Sequence, residues 1–167
     1  MLNACRNHFP ADLLCDAFIF HYEKMMRFGG EWHVVVKDMF PGYVFLETLR
    51  PEAFLSMIKQ FEPMLAFLKN GQTILAVTEE EERFLKMFCG EVHLLKMSYG
   101  TIKDGQFFLD SGPLKGHEEA IVKADRHKRS AAVRIRVGQK EQMILAGLEI
   151  REKTVSEKNG RILLKQA

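Results

Sequence analysis

A Pro-Gly pair followed by an aromatic, apolar segment is the feature that most constrains how this chain can fold. Pro41 fixes its own φ and disfavours a helical conformation at Phe40, and Gly42 accepts backbone angles that other residues resist. Residues 43–48 are aromatic, β-branched and apolar, which is the composition of a strand. We therefore predict a tight turn that opens into a buried strand and holds aromatic rings at its entrance.

The aromatic residues of this segment, Phe40, Tyr43 and Phe45, have two interpretations. Burying a large aromatic side chain stabilises a fold by about 1.5–3 kcal/mol, so all three can simply belong to the core. Exposed aromatic residues instead mark surfaces that bind partners. Strand alternation places Tyr43 and Phe45 on one face and apolar residues on the other, so the segment needs a second covering layer or a partner.

The first hundred residues otherwise combine strands with helices. Residues 17–28 and 32–36 predict two strands that Gly29-Gly30 joins as a hairpin. A helix is expected from Pro51, because an apolar stripe follows it until Pro63. We also expect a short helix over residues 10–16, a buried strand over 64–68, and a helix that starts at the capping box of Thr78 and Glu81 and stops at Cys89-Gly90.

The pattern changes after Gly105, where short apolar segments alternate with turns. Five short strands within about fifty residues predict a small β-barrel, and an interdomain segment is placed at residues 98–105. The predicted division is therefore a first domain over residues 1–97, a second over 106–152 and a tail over 153–167. The five strands are expected at residues 107–109, 120–123, 131–137, 142–145 and 148–150.

Basic residues cluster in the second domain. Residues 104–153 hold ten Lys and Arg against eight Asp and Glu, whereas residues 1–103 hold eleven against thirteen. Lys and Arg in a hairpin loop can pair with phosphates, and Arg can stack on bases, but a run of charge can equally be a solvated loop. The candidate nucleic-acid-binding residues are Lys115, Lys123, Arg126, His127, Lys128, Arg129, Arg134 and Arg136.

The cysteines and histidines give little support to metal or catalytic chemistry. Cys5, Cys15 and Cys89 are odd in number and irregularly spaced, which favours reduced thiols in the cytoplasm over a disulfide framework. Cys5 and His8 have the spacing of metal ligands, but no second pair follows at finger-like spacing. Nothing indicates a Cys-His nucleophile, a phosphate-binding loop, a signal peptide or a membrane span, so we expect no cofactor and no enzymatic activity. An enzyme with a Cys or His active site is a distant third alternative, since catalytic partners need not be adjacent in sequence.

Several segments resemble the NusG family of transcription elongation factors. Residues 40–45 (FPGYVF) are similar to its F-P-G-Y-V motif, and residues 111–118 (SGPLKGHE) are similar to the start of its C-terminal KOW domain. The matches run in family order from about Phe9 to Ile150. The segments that resemble one subfamily, the specialised LoaP-type paralogues, are residues 30–33, 125–131 and 147–150.

The resemblance implies an α+β chain, with an antiparallel sheet flanked by helices and then a KOW domain that is an SH3-like barrel. It implies that the first domain docks on the clamp helices of the RNA polymerase β′ subunit through Phe40, Pro41, Tyr43 and Phe45. The barrel would contact leader RNA, ribosomal protein or another factor. The expected function is processive antitermination of a specific operon, and the alternative is a general elongation factor that couples transcription to translation or termination.

The sequence departs from the family pattern at two places. Glu119 stands where the KOW pattern has a glycine, so if the turn there requires positive φ, either Glu119 is strained or the turn is rebuilt. Family members also begin with a strand, whereas here Met1 leads almost directly into a helical region. A sheet without that strand would leave unpaired backbone groups, so we expect poor stability as a monomer or self-association through the first domain.

Overall fold

The computed structural model describes residues 2–61, 74–137 and 140–155, and these form an α+β fold, as the sequence predicts. The helices are α1 (Leu2–His8), α2 (Pro51–Ile58) and α3 (Glu79–Cys89), and a 3₁₀ turn spans Glu118–Ala120. The strands are β1 (Asp16–Phe18), β2 (His21–Phe28), β3 (Glu31–Asp38), β4 (Phe45–Glu47), β5 (Leu94–Leu95), β6 (Ser98–Lys103), β7 (Gln106–Ser111), β8 (Ile121–Asp125), β9 (Ser130–Val137) and β10 (Lys140–Thr154).

The predicted hairpin is confirmed as the antiparallel pair β2–β3, but its first strand starts at His21, and residues 16–18 form the separate strand β1 in another sheet. Gly29 and Gly30 both have positive φ, 59° and 85°, which is the backbone of a two-residue turn that matches the twist of the strands. Phe28 therefore lies opposite Glu31, and pairing continues without a register shift to His21 and Asp38. The short strand β5 adds to the other side of β2 in parallel, so the sheet order is β3-β2-β5.

A separate two-stranded sheet pairs β1 with β4 and packs with α1 and α2 around its own small core. The predicted helix over residues 10–16 is wrong: the helix lies earlier, at Leu2–His8, and Pro10 begins a turn instead. The backbone N–H groups of Leu13 and Leu14 both donate to the Pro10 carbonyl, and the chain then enters β1. The buried members of this core are Cys5, Phe9, Leu13, Leu14, Ala17, Phe54, Ile58 and Phe61.

The two longer helices begin where the sequence indicates. Pro51 occupies the first turn of α2, which ends at Ile58, well before Pro63. The capping box of α3 is confirmed, because the Thr78 hydroxyl accepts from the Glu81 N–H and the Glu81 carboxylate accepts from the Thr78 N–H. Gly90 follows the last residue of α3, as predicted. The strand predicted over residues 64–68 lies outside the described residues.

Residues 98–105 do not form the interdomain segment that we expected. Ser98–Lys103 is β6, which pairs with β7 and with β10 inside a five-stranded sheet of order β7-β6-β10-β9-β8. The alternation that marks a strand is present here, since Ser98, Gly100 and Ile102 are the buried positions. Two of these three residues are small or polar, so the hydrophobic pattern did not reveal the strand.

The last strand also differs from expectation, because β10 is one continuous strand of 15 residues and not two short ones. The sequence pattern predicts a turn between residues 142–145 and 148–150, the interval that contains Gly147. Gly147 lies within the ladder, opposite Ser130, and its lack of a side chain serves close packing. A Cβ at this position would collide with the Met97 sulfur and with the backbone carbonyl of Glu23 on β2.

The contact at Gly147 joins the hairpin to the five-stranded sheet. The Glu23 carboxylate accepts a hydrogen bond from the Met97 N–H at 2.7 Å, 74 residues away in the chain. Around this contact a single core combines residues of β2, α3 and the five-stranded sheet, including Tyr22, Phe88 and Val133. The hairpin and the five-stranded sheet, which we call the second sheet from here on, are therefore packed against each other with a shared apolar interior.

The expected strain at Glu119 is absent. Glu119 lies in the 3₁₀ turn and is not among the described residues with positive φ. The positive angle falls three residues earlier, at Gly116, where φ is 83° and a glycine is available. The predicted tail begins inside β10, which runs to Thr154, and residues 156–167 lie outside the described part of the chain.

We predict that Gly147→Ala destabilises the protein by about 1–3 kcal/mol, which is typical of overpacking. A glycine-to-alanine change in a strand without such a contact would be neutral or stabilising, because alanine loses less backbone entropy on folding. Urea denaturation followed by far-UV circular dichroism measures the difference. Ala132→Gly on the neighbouring strand measures the backbone-entropy cost of a glycine in this sheet and should destabilise by about 0.5–1 kcal/mol. Equal stability of Gly147→Ala and wild type would contradict the close approach.

Candidate functional site

The Pro-Gly pair forms the predicted tight turn between β3 and β4. The Tyr43 N–H donates to the Phe40 carbonyl at 3.1 Å, and Gly42 has φ of 85°. Proline followed by a glycine of positive φ is the arrangement of a type II turn. The strand after the turn is shorter than expected: β4 starts at Phe45, so Tyr43 and Val44 precede it. Tyr43 is 57% exposed.

The aromatic rings around this turn are divided between core and surface. Phe40 and Phe45 are half-buried, and the centroids of their rings lie 5.6 Å apart. Phe45 also packs edge-on against Phe20 at 4.8 Å, and Phe18 stacks on the ring of His93 at 3.6 Å. Burial lowers the pKa of His93, which favours the neutral form of the stacked imidazole. Tyr43 is joined to this aromatic cluster through its backbone hydrogen bond to Phe40, and its own ring is exposed.

An open depression of about 470 Å³ lies next to the turn, along the β2–β3 hairpin. Pro41 forms part of its lining, but Phe40 and Tyr43 do not. The lining mixes apolar and charged side chains, so the depression suits an amphipathic partner surface better than a purely apolar one. The other lining residues are Tyr22, Lys24, Met26, Val36, Lys37 and Asp38.

The predicted basic loop joins β8 to β9 at residues 126–129. Asp125 fixes the start of the loop, because its carboxylate accepts from the Lys128 N–H at 2.9 Å. That hydrogen bond, together with the nearby Lys128 and His127 charges, holds the pKa of Asp125 below its usual value. Arg126, His127 and Lys128 are all exposed, so their side chains are accessible to an anionic partner, although the Lys128 ammonium also lies 3.9 Å from the Asp125 carboxylate.

Arg129 differs from the other three loop residues. Its guanidinium lies over the indole of Trp32 at 4.1 Å from the ring centroid and forms an ion pair with Glu149 at 3.0 Å. Both side chains of the ion pair are about one-quarter exposed, at 25% and 24%. The Arg129 backbone has φ of 48°, and its carbonyl accepts from the Leu148 N–H. These contacts connect the loop to β3 and β10, so Arg129 is engaged within the protein and is not free for phosphate.

The outward face of the second sheet carries two further predicted residues. Lys123 is exposed and lies opposite Ala132, and Arg134 is exposed and pairs with Glu141 at 3.5 Å. The neighbouring strand β10 contributes Met143 and Leu145, which are about half exposed. Cations next to exposed apolar side chains form a face that can accept bases or an amphipathic protein surface.

The two remaining predicted basic residues contribute less to this arrangement. Lys115 is exposed but lies in the turn between β7 and the 3₁₀ turn, apart in sequence from the basic loop. Arg136 pairs in register with Glu141 across β9 and β10, and the position of its side chain lies outside what the structure describes. The described cations thus concentrate at the β8–β9 loop and on the adjacent sheet face.

Other kinds of site have little support within the described residues. Burial raises the pKa of Cys89 to about 12 and also raises the pKa of Cys5, so both thiols are protonated at neutral pH. In the parts of the chain that the structure describes, no group of three or more His, Cys, Asp and Glu side chains is placed to hold a metal ion. No helix in those parts is long and apolar enough to cross a membrane.

Comparison with known proteins adds no family assignment. No model of a known protein family matches the sequence, and no curated protein matches it significantly. The function of these surfaces therefore has to be argued from their own geometry.

Sequence reasoning missed the residues that hold the basic loop in place. Trp32 was noted only as part of a motif, and Glu149 lies more than a hundred residues further along the chain. A cation–π contact of this kind has no local sequence signature, because its partners meet only after the hairpin packs on the second sheet. A pairing of Arg129 with Trp32 could have been found only from the tertiary fold.

We predict that Arg129→Lys lowers the free energy of unfolding by about 1 kcal/mol, because lysine lacks the planar group that stacks on Trp32 and pairs with Glu149. A double-mutant cycle with Trp32→Leu should give a coupling free energy of at least about 0.5 kcal/mol. Urea denaturation of the four proteins provides the measurement. Arg126→Lys, in the same loop but exposed, is the control and should change stability by less than about 0.5 kcal/mol. Additive effects of Arg129→Lys and Trp32→Leu would show that the contact does not stabilise the fold.

Proposed function

We propose that this protein is a non-enzymatic transcription factor of the NusG type. It binds RNA polymerase through the Pro-Gly turn of the first part of the chain, and the second sheet, as a KOW-like SH3 barrel, contacts nascent leader RNA. Of the two functions considered, we favour processive antitermination of a specific operon. The mechanism is binding that shifts the polymerase between paused and elongating states, without bond chemistry.

One observation carries the proposal: Tyr43 is held exposed beside the aromatic cluster by the turn at Pro41 and Gly42. A large aromatic side chain at a rigid turn loses little entropy on binding and is a common energetic centre of protein interfaces. Phe40 and Phe45 fix the base of this arrangement through their mutual packing and their contacts with Phe20. The clamp helices of the β′ subunit are the partner that the motif resemblance implies.

A second observation supports contact with RNA. Three exposed cationic or titratable side chains, Arg126, His127 and Lys128, occupy a loop whose backbone is fixed by Asp125 and Arg129. A fixed loop presents charge with little loss of entropy, and unpaired leader RNA offers both phosphates and stackable bases. Lys123 and Arg134 extend the same charge onto the sheet face.

The alternative is a general elongation factor whose second sheet binds a protein and not RNA. The exposed apolar pair Met143 and Leu145 favours this alternative, because such residues contribute more to protein interfaces than to phosphate contacts. In that case the partner would be a ribosomal protein or a termination factor, as the family resemblance implies. The two functions predict different effects of salt on binding by the second sheet.

We predict that Tyr43→Ala weakens binding to RNA polymerase by about 2 kcal/mol, or roughly thirty-fold in Kd, because it removes an interface anchor. Tyr43→Phe should retain most of the affinity, since the ring remains. Biolayer interferometry with immobilised polymerase core enzyme measures both. Phe40 is a poorer target, because truncating it also disturbs the aromatic cluster.

Met87→Ala is the matched control, because Met87 on α3 is exposed to a similar extent (55%) and lies outside the turn. Circular dichroism should show native folding for all three variants. If Tyr43→Ala folds and binds polymerase as tightly as wild type and Met87→Ala do, the docking assignment is wrong.

The affinity for single-stranded leader RNA should fall as salt rises, and the double variant Arg126→Ala/Lys128→Ala should flatten the log–log slope by roughly 1.4, about 0.7 for each lost phosphate contact. Fluorescence anisotropy over a range of KCl concentrations provides the slopes. The double variant Arg83→Ala/Lys96→Ala removes the same charge from exposed positions elsewhere and should leave the slope nearly unchanged. An absence of RNA binding even at low salt would favour the protein-binding alternative.

A further inference from the structure

The outer edge of β3 is an unpaired strand edge. In the described residues, the sheet order β3-β2-β5 places β3 at one end, with β2 as its sole hydrogen-bonded neighbour. The strand is eight residues long and contains neither proline nor a register shift against β2. A long and regular free edge offers a ready template for another strand.

The backbone groups that face this edge can be identified from the hairpin turn. Phe28 lies opposite Glu31 across a two-residue turn. In such a hairpin this first pair is hydrogen-bonded and the bonded pairs then alternate, so the odd-numbered residues of β3 are those that bond to β2. The Met39 N–H continues this phase by donating to the Phe20 carbonyl at 2.8 Å. The groups directed to the free edge are therefore those of Trp32, Val34 and Val36.

We propose that β3 pairs with β3 of a second copy of this chain, antiparallel, across a two-fold axis at Val34. Hydrogen-bonded pairs then form between Val34 and its own copy and between Trp32 and Val36, which uses the outward backbone groups. Two three-stranded sheets become one six-stranded sheet. Such an interface is isologous and closed, so it produces a dimer and not a fibre.

Charge complementarity selects this register. With Val34 on the axis, Glu31 of each copy lies opposite Lys37 of the other, at closely spaced positions on the same face. Neither Glu31 nor Lys37 has an ion-pair partner among the described residues, and both are exposed. A shift that puts the axis at Val35 pairs His33 with Lys37 and loses both opposite-charge pairs.

Exposed apolar side chains support the same partner. Val34 and Val36 are 48% and 54% exposed, although they lie on the face that carries Trp32. In the dimer the two copies of Val34 become neighbours, and each Val36 lies beside Trp32 of the other copy. Edges that avoid self-pairing often carry like charge or an inward charge, whereas this edge carries charges that attract their own copy.

Sedimentation equilibrium over a range of protein concentrations tests the dimer and its register. We expect a reversible monomer–dimer equilibrium. Glu31→Lys alone and Lys37→Glu alone should each raise the dimer Kd by roughly ten-fold, because two opposite-charge pairs become like-charge pairs. The double variant Glu31→Lys/Lys37→Glu should restore the wild-type Kd, since the pairs are re-formed with reversed signs. Glu91→Lys, an exposed charge reversal outside the strand, is the control and should not change Kd.

A second pair of variants tests the backbone contact. Val34→Pro removes an N–H that points away from β2, so the hairpin should fold while dimerisation is lost. Val34→Lys places two like charges on the axis and should have the same effect if the proline variant does not fold. A chain that is monomeric at every accessible concentration, a double charge reversal that fails to restore Kd, or folded Val34 variants that dimerise normally would each overturn the proposal.

Discussion

The close approach of β2 and β10 at Gly147 is the contact on which the remaining arrangement depends. The Glu23 carbonyl lies where a side chain would be, and the Glu23 carboxylate binds the Met97 N–H at 2.7 Å. Because backbone packs directly on backbone, the apolar residues on both sides can join in one core. The β2–β3 hairpin needs this packing, because within the described residues its own sheet is extended only by the two-residue β5.

The elements that sequence reasoning predicted well are those with local causes. The glycine pair of the hairpin, the capping box at Thr78 and the turn at Pro41 each restrict the backbone within four residues. The errors have tertiary causes. A turn was expected near Gly147 because glycine occurs both in turns and at closely packed strand positions. Strand β6 was missed because Ser98 and Gly100 are buried for packing reasons that no hydrophobic pattern encodes.

In the candidate site, too, features with local causes were predicted and features with tertiary causes were not. The sequence indicated correctly that Arg126, His127 and Lys128 lie in a loop between two strands, because charge and turn residues are local properties. It could not distinguish Arg129 from them, since the distinction arises from Trp32 and Glu149, which are distant in the chain. The sequence likewise could not predict that Tyr43 is exposed, because a tyrosine after a tight turn can face the core or the solvent equally well.

Arg129 connects the two proposed binding surfaces, which are the basic loop and the turn that holds Tyr43. The loop that would contact RNA is attached to β3 through Trp32, and β3 leads directly into the turn that holds Tyr43. Three links, the Arg129–Trp32 stack, the Glu23–Met97 hydrogen bond and the shared core, oppose independent rotation of the two parts. Folding thus sets the orientation of the basic loop relative to the docking turn. In the proposed function, a polymerase bound at the turn would therefore determine where the loop meets the transcript.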